Sequence, residues 1–396
     1  MKIKRSIFNK LYGEFSEPEV SILLGARQVG KTTLMHQLEN RFRRDGISTH
    51  FFNLEDTADL EALSGSDKEV FDAIVGSGQV VFIDEFHYLK NASKLFKAIY
   101  DSKKSIKIYA SGSSSLEIHK HLKESLAGRF RKTMIYPLSW EESKHTPISG
   151  MDEFLKWGGM PGLMHRKTED EKMDLLGNIV STYITKDIKA LIKEENVRAF
   201  NSMLYSLAQN QGSLAVIANI ARDAGIGEST IAHYLELMSQ TYVCHLVHSY
   251  SGNLANELKK SKKCYLFDIG IRNSLLKDFR YSNQREDKGA IYETFVLLQL
   301  VQQLKPNMEL RFWRTKKGAE VNFILLVNRQ PVPIEVKSDL KDARIPSGLR
   351  SFLRAYPEVS DSYVFNASLK QDAEMDDGRI VHFCTFEEVV DFFGRF

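Results

Sequence analysis

The chain reads as an α/β protein built in parts: a P-loop nucleotide-binding core, a helical middle, and a second α/β unit toward the C-terminus. Three observations predict this. An apolar run, Val20 to Leu24, empties into a loop of the form G-x-x-x-x-G-K-[ST], and an apolar-periodic helix follows. A second apolar run, Val80 to Ile83, ends in Asp84 and Glu85. Far downstream, a well-patterned helix at 288–300 precedes three strand-like runs at 310–314, 318–326 and 332–337. The 396 residues leave room for two or three domains of roughly 100–200 residues each. The predicted borders are 1–145 for the core, 146–196 for a helical lid or linker, 197–262 for a winged helix-turn-helix, and 263–396 for the last unit.

Composition narrows the class. A hydrophobic content of 43% suffices for an ordinary buried core. The longest apolar runs are strand-length, far short of the ~20 residues of a membrane span. No apolar stretch follows Met1-Lys-Ile-Lys-Arg5 that could act as a signal peptide. Cys244, Cys264 and Cys384 lie far apart, without metal-ligand spacing. Together these features predict a cytoplasmic protein with reduced thiols and no membrane partner. A net charge of +3 is too small to argue for nucleic acid by itself.

Taken in order, residues 5–15 predict a short helix leading into the first strand. Arg5 and this helix are therefore candidates for the adenine side of the site. In the loop, Gly25 and Gly30 let the backbone curl so that its N–H groups point inward, and the following helix N-terminus adds partial positive charge. Gly25, Gln28, Val29, Gly30, Lys31, Thr32 and Thr33 are the expected nucleotide contacts. Lys31 can reach the β- and γ-phosphates, and the Thr32 hydroxyl can ligate Mg²⁺. Thr49 to Leu54 reads as a second strand, followed by Glu55 and Asp56. Asp84 and Glu85 stand at a strand's carboxyl end, where ligands sit in open α/β sheets. Asp84 is the expected Mg²⁺ holder and Glu85 the general base; an N-cap role for Asp84 is the alternative. Ile106 to Ser113 is another strand with a small polar tip. Ser113 is the expected γ-phosphate sensor, Ser111 the runner-up, and a plain Ser/Gly turn the alternative. Arg129 is a candidate arginine finger, acting in cis or through self-association with a neighbouring subunit.

The runs Gly25-Ala-Arg-Gln-Val-Gly-Lys-Thr-Thr33, Phe82-Ile-Asp-Glu85, Ala110-Ser-Gly-Ser-Ser-Ser115 and Leu126-Ala-Gly-Arg-Phe130, with Tyr136-Pro-Leu-Ser-Trp-Glu141, carry a resemblance. They resemble a family of prokaryotic AAA+-type ATPases with a C-terminal domain known as DUF4143. Gly158-Gly-Met-Pro-Gly162 and Tyr183-Ile-Thr-Lys-Asp187-Ile188 match its pattern too. The resemblance spans nearly the whole chain. It implies an AAA+ core, specificity for ATP over GTP, and a helical lid beside the nucleotide at 146–196. No guanine-reading Asn-Lys-x-Asp motif stands in the sequence.

In the middle, a helix at 213–221, a Gly225-Ile-Gly227 turn, a helix at 228–238 and a strand-like Val243 to Val247 make a winged helix-turn-helix. Its second helix would read a DNA groove. Yet that helix carries Glu228, Glu236 and His233 and neither Lys nor Arg, a poor footprint for phosphate. Lys259-Lys-Ser-Lys-Lys263 is the best local basic patch, and a solvated loop is the alternative reading.

The last segment is similar to the core of the PD-(D/E)xK nuclease fold, a restriction-endonuclease-like α/β domain, in which a helix Glu, a strand Asp and a Glu-x-Lys pair surround a metal. Here the matching positions are Glu293, Asn322, Glu335 and Lys337, with Glu320 on the face of Asn322. Glu335 and Lys337, two apart on a strand, share a face. Asn322 stands where the family has Asp, and a neutral amide is a poor Mg²⁺ ligand. The sequence therefore favours a domain kept for structure or binding over an active nuclease. The leading expectation is a Mg²⁺-dependent ATP-hydrolysing switch associated with nucleic acid. Its rivals are an ATP-dependent nuclease and a nucleotide-gated adaptor that recruits a protein partner without binding DNA.

Overall fold

The computed structural model describes residues 3–112, 128–182, 197–251 and 262–395. The chain divides into two compact units, Met1–Leu138 with Leu237–Val243, and Ser139–Glu236 with Cys244–Phe396.

The first unit is built on five parallel strands: β1 (Val20–Leu24), β2 (Thr49–Asn53), β3 (Val80–Asp84), β4 (Lys107–Gly112) and β5 (Phe130–Met134). Their order across the sheet is β2-β3-β4-β1-β5. β1, β3 and β4 are buried along their whole length, which explains their continuous apolar runs. Ile22, Leu24, Val81, Ile83, Phe96, Ile108 and Ala110 share one core cluster. The helix Lys31–Arg44 buries Leu34, Met35, Leu38 and Phe42, and its Phe42 lies tilted against Phe82 and Tyr109. β4 lies between β1 and β3. Its tip therefore stands between the phosphate loop and the carboxylates that end β3.

The second unit holds an eight-stranded sheet in the order β12-β13-β11-β10-β9-β8-β6-β7. Its strands are β6 (Cys244–Ser249), β7 (Lys263–Leu266), β8 (Met308–Arg314), β9 (Glu320–Val327), β10 (Gln330–Val336), β11 (Asp361–Asn366), β12 (Gln371–Glu374) and β13 (Ile380–Thr385). The helices Val197–Gln209, Ile217–Ala224 and Glu228–Gln240 precede an antiparallel β6-β7 pair, and Leu214 bridges to Lys263. This pair corrects the border expected at 262. It straddles that border, and β6 continues into the last sheet by parallel pairing with β8, His248 to Arg311 and Ser249 to Phe312. Strand pairing is non-local, so no composition shift marks it in the sequence.

The segment expected as a lid is likewise built into the second unit. Asp268 caps the helix Ile269–Leu276 through Ile271 N–H (3.0 Å) and reaches back to accept Gly159 N–H (2.7 Å). Asn273 Nδ2 donates to the carbonyls of Leu155 and Lys156, which end the helix Met151–Trp157. At Gly158, with φ +77°, an added Cβ would lie 2.4 Å from Asp268 Oδ1. Gly158 is therefore a packing requirement as well as a helix break.

Candidate functional site

The phosphate loop is shaped by its neighbours. Gly25 lies so close to β5's exit that an added Cβ would stand 2.1 Å from Ile135 O. Gln28 and Gly30 take positive φ values, 61° and 91°, which turn the loop over the start of the helix Lys31–Arg44. No side chain caps that helix start, and Thr32 and Thr33 are exposed in its first turn. Val29 is buried, held by Arg5, whose guanidinium donates to Val29 O (2.9 Å) and to Tyr136 O (2.7 Å). Arg5 thus braces the loop from behind against the segment that follows β5. Two of its donors are used this way, a positioning role that the sequence does not show.

Lys31 is buried, and its Nζ donates to the carbonyls of Gly25 and Ala26 at 3.0 Å each. Burial lowers its pKa, against the opposing pull of Glu85 and Asp84, so the amine lies within electrostatic reach of both carboxylates. Asp84 ends β3 fully enclosed, accepting from the Ser111 hydroxyl and from Glu85 N–H (3.2 Å). The register explains the first bond: Ile83 pairs with Ala110, so the next residues on each strand, Asp84 and Ser111, stand side by side. Glu85 adopts a left-handed backbone (φ 51°), a costly conformation for a residue with a side chain, and its Oε2 lies 3.1 Å from His87 Nδ1. The Thr32 hydroxyl and the Asp84 carboxylate are hard oxygen donors of the kind Mg²⁺ prefers.

The other predicted residues fall elsewhere. Ser113 lies outside the described residues. Arg129 precedes β5, with its carbonyl accepting from Val20 N–H at the start of β1. Because β1 and β5 run parallel, this places Arg129 a strand length, roughly 13 Å, from the phosphate loop. There its guanidinium pairs with Asp101 at 3.0 Å and lies over the Tyr100 ring. A finger acting in cis within its own sheet does not fit that position. The role of Ser111 as a partner of Asp84 was hidden in the sequence, since only the strand order brings the two together.

The second predicted cluster does assemble. Asn322 Nδ2 donates to Glu293 Oε2 (2.6 Å), its backbone N–H to Glu335 Oε2 (3.3 Å), and its Oδ1 accepts from Val336 N–H (2.9 Å). Lys337 Nζ pairs with Glu335 at 2.7 Å, and Arg314 pairs with Glu320 at 3.0 Å. Burial pushes the Glu335 carboxyl up, with the Lys337 ammonium opposing. Lys263, expected on a basic surface patch, is instead buried between Glu293 and Glu320, while residues 259–261 lie outside the described ones.

Comparison with known proteins divides the chain in three. Residues 17–144 match the family model described as AAA domain, 149–282 a domain of unknown function (DUF8612), and 288–386 a domain of unknown function (DUF4143). The middle model spans both the predicted lid and the predicted winged helix, in keeping with the Gly159–Asp268 contact. Among curated relatives is an uncharacterized protein of Mycobacterium tuberculosis, 26% identical over 321 residues, covering 80% of this chain and 70% of that protein. Another, from Methanocaldococcus jannaschii, is 24% identical over 383 residues, covering 91% and 83%. Among solved structures, AMPPCP-bound DnaA from Aquifex aeolicus is 14% identical with a TM-score of 0.33, covering 59% of this chain and 86% of that one. The Aeropyrum pernix ORC1 protein in complex with DNA is 10% identical with a TM-score of 0.30, covering 68% and 91%. Both scores are low, and the assignment rests on the family model and the phosphate loop. The N-terminal part of this chain, which holds the phosphate loop, matches the AAA domain model, and the two parts that follow match families whose descriptions record no function.

Proposed function

We propose that the chain is a Mg²⁺-dependent ATP-hydrolysing switch whose C-terminal domain does not cleave nucleic acid. The observation that carries this reading is the register that sets Ser111 of β4 between Leu23 of β1 and Asp84 of β3. The phosphate loop and Asp84 therefore leave the sheet at the same end, with Lys31 within electrostatic reach of Asp84 and Glu85 and a helix start that no side chain caps. On ATP binding, the Lys31 ammonium exchanges the carbonyls of Gly25 and Ala26 for phosphate oxygens. Thr32 and Asp84 would hold Mg²⁺, which would supply neutralisation of phosphate charge. Ser111, bonded to Asp84, fixes the orientation of that carboxylate. Glu85 accepts the proton of the attacking water. Gln28, Val29, Gly30 and Thr33 shape and line the phosphate cradle.

The test is steady-state ATP turnover at low salt, with and without DNA. Lys31→Ala is expected to abolish turnover, and Glu85→Gln to retain nucleotide binding while turnover falls ~10²-fold or more. Wild-type protein without ATPase activity in the presence of Mg²⁺, or a Glu85→Gln variant as fast as wild type, sinks the reading.

A second reading concerns the middle domain. The helix Glu228–Gln240 offers no cationic side chain, and Lys263 is tied up in ion pairs. These features favour a protein partner for the winged-helix segment over a phosphate backbone. Turnover raised several-fold by DNA would reverse that preference, whereas turnover unchanged by DNA supports it.

A further inference from the structure

The fold resemblance of the C-terminal domain implies a divalent cation among Glu293, Asn322 and Glu335, and the residues present do not fit one. Lys263 Nζ lies 3.0 Å from Glu293 Oε1 and 2.5 Å from Glu320 Oε1. Its side chain is 1% exposed. Phe312 closes another side of the ammonium, its ring centroid 5.5 Å away. The Tyr265 hydroxyl also donates to Glu293 Oε1, and the Asn322 amide to Glu293 Oε2. Every Glu293 oxygen is thus engaged by a donor from the protein itself. A hard divalent cation needs about six oxygen ligands in an open arrangement. Here a positive charge, an N–H₂ group and an aromatic ring face the carboxylates instead.

We propose that the Lys263 ammonium stands in for the divalent cation, so that the nuclease-like cluster is a closed, metal-free ion-pair core. The proposal rests on the nuclease-like reading of the domain, and it explains how three buried or half-buried glutamates coexist there. Burial by itself would pull the Lys263 amine down, but the attraction of Glu293 and Glu320 outweighs it and raises the pKa, keeping the lysine charged at neutral pH. Lys263 arrives from β7 and Glu293 from the helix Lys288–Gln303, with Glu320 on β9. The bridge therefore ties three elements together where a metal would otherwise do so.

The experiment uses the full chain carrying Asp84→Asn, which removes the carboxylate proposed to hold Mg²⁺ in the ATP site, and follows Mn²⁺ uptake by electron paramagnetic resonance alongside thermal melting. With Lys263 in place, no Mn²⁺ uptake that depends on Glu293 is expected. Lys263→Met in the same background is expected to lower Tm by roughly 5 °C or more. Millimolar Mn²⁺ should then recover part of that loss, and adding Glu293→Gln should remove the recovery. The proposal is overturned if the chain with native Lys263 binds Mn²⁺ and Glu293→Gln abolishes that binding. It is also overturned if Lys263→Met melts like its parent, or folds less stably but gains nothing from Mn²⁺. Should Lys263→Met not fold at all, the uptake measurement on the chain with native Lys263 still decides. Neither readout involves cleavage, so an independent assay on single- and double-stranded DNA tests the wider functional reading separately.

Discussion

His245, on β6, is half-buried, and burial lowers its pKa from 6.5 to about 4. A base with a depressed folded pKa stays neutral while the unfolded chain takes up a proton. Its contribution to stability is therefore present above pH 6.5 and is lost as pH falls toward 4. Asp268 works the other way: burial raises it from 3.8 to about 6, against the backbone N–H groups that bond its charged form. Its folded form binds the proton more tightly, so stability is lost as pH rises from 3.8 to 6. The two oppose each other over the mildly acidic range. The expected result is that His245→Asn, compared with wild type, gains on the order of 2 kcal/mol between pH 7 and pH 4.5. Denaturant melts at the two pH values check this, and parallel curves for both proteins would exclude it.

At the scale of elements, the helix Ile269–Leu276 is a hub because one carboxylate serves both it and the Gly158-Gly159 turn. Gly270 extends this logic, since an added Cβ there would lie 1.8 Å from Trp157 O. The helix and the turn can meet only through glycine and backbone. Removing the shared carboxylate takes away an N-cap and a charged hydrogen bond at once. Asp268→Ala is therefore expected to destabilise the protein at pH 7 by less than the ~2–3 kcal/mol of these two bonds, because the cost of burying the charge offsets part of them. The check is urea unfolding followed by the fluorescence of Trp157, which stacks on Phe279 in this region. A midpoint unchanged from wild type would show that the carboxylate is dispensable.

For the whole molecule, two compact units with separate sheets and cores imply two unfolding events, since a chain of this kind need not melt as a single cooperative unit. In the proposed function ATP binds at the first sheet, so nucleotide should raise only the transition of that unit. At 100-fold over its Kd the expected gain is ~2.7 kcal/mol. Calorimetry with a non-hydrolysable ATP analogue should show one transition moving and one standing still. Lys31→Ala should remove the movement. A single transition that shifts as a whole would join the units energetically and contradict the expectation.

The sequence by itself determined whatever is local. The phosphate loop was legible because strand, glycine spacing, Lys31 and helix stand within 25 contiguous residues, 20–44. Asp84-Glu85 was legible because buried parallel strands read as plain apolar runs, and the carboxylates interrupt one at its end. Glu293, Asn322, Glu335 and Lys337 were picked out by the resemblance, and strand periodicity by itself supplied only the shared face of Glu335 and Lys337. The tertiary structure alone decided what depends on partners distant in sequence. It made Arg5 a brace for Val29, set Ser111 beside Asp84, and left Arg129 at the far end of its sheet. It drew the β6-β7 pair into the last sheet and buried Lys263 against carboxylates 30 and 57 positions away, Glu293 and Glu320. A lysine in a basic run looks the same in sequence whether water or glutamate receives its charge, and only the packing around it distinguishes the two.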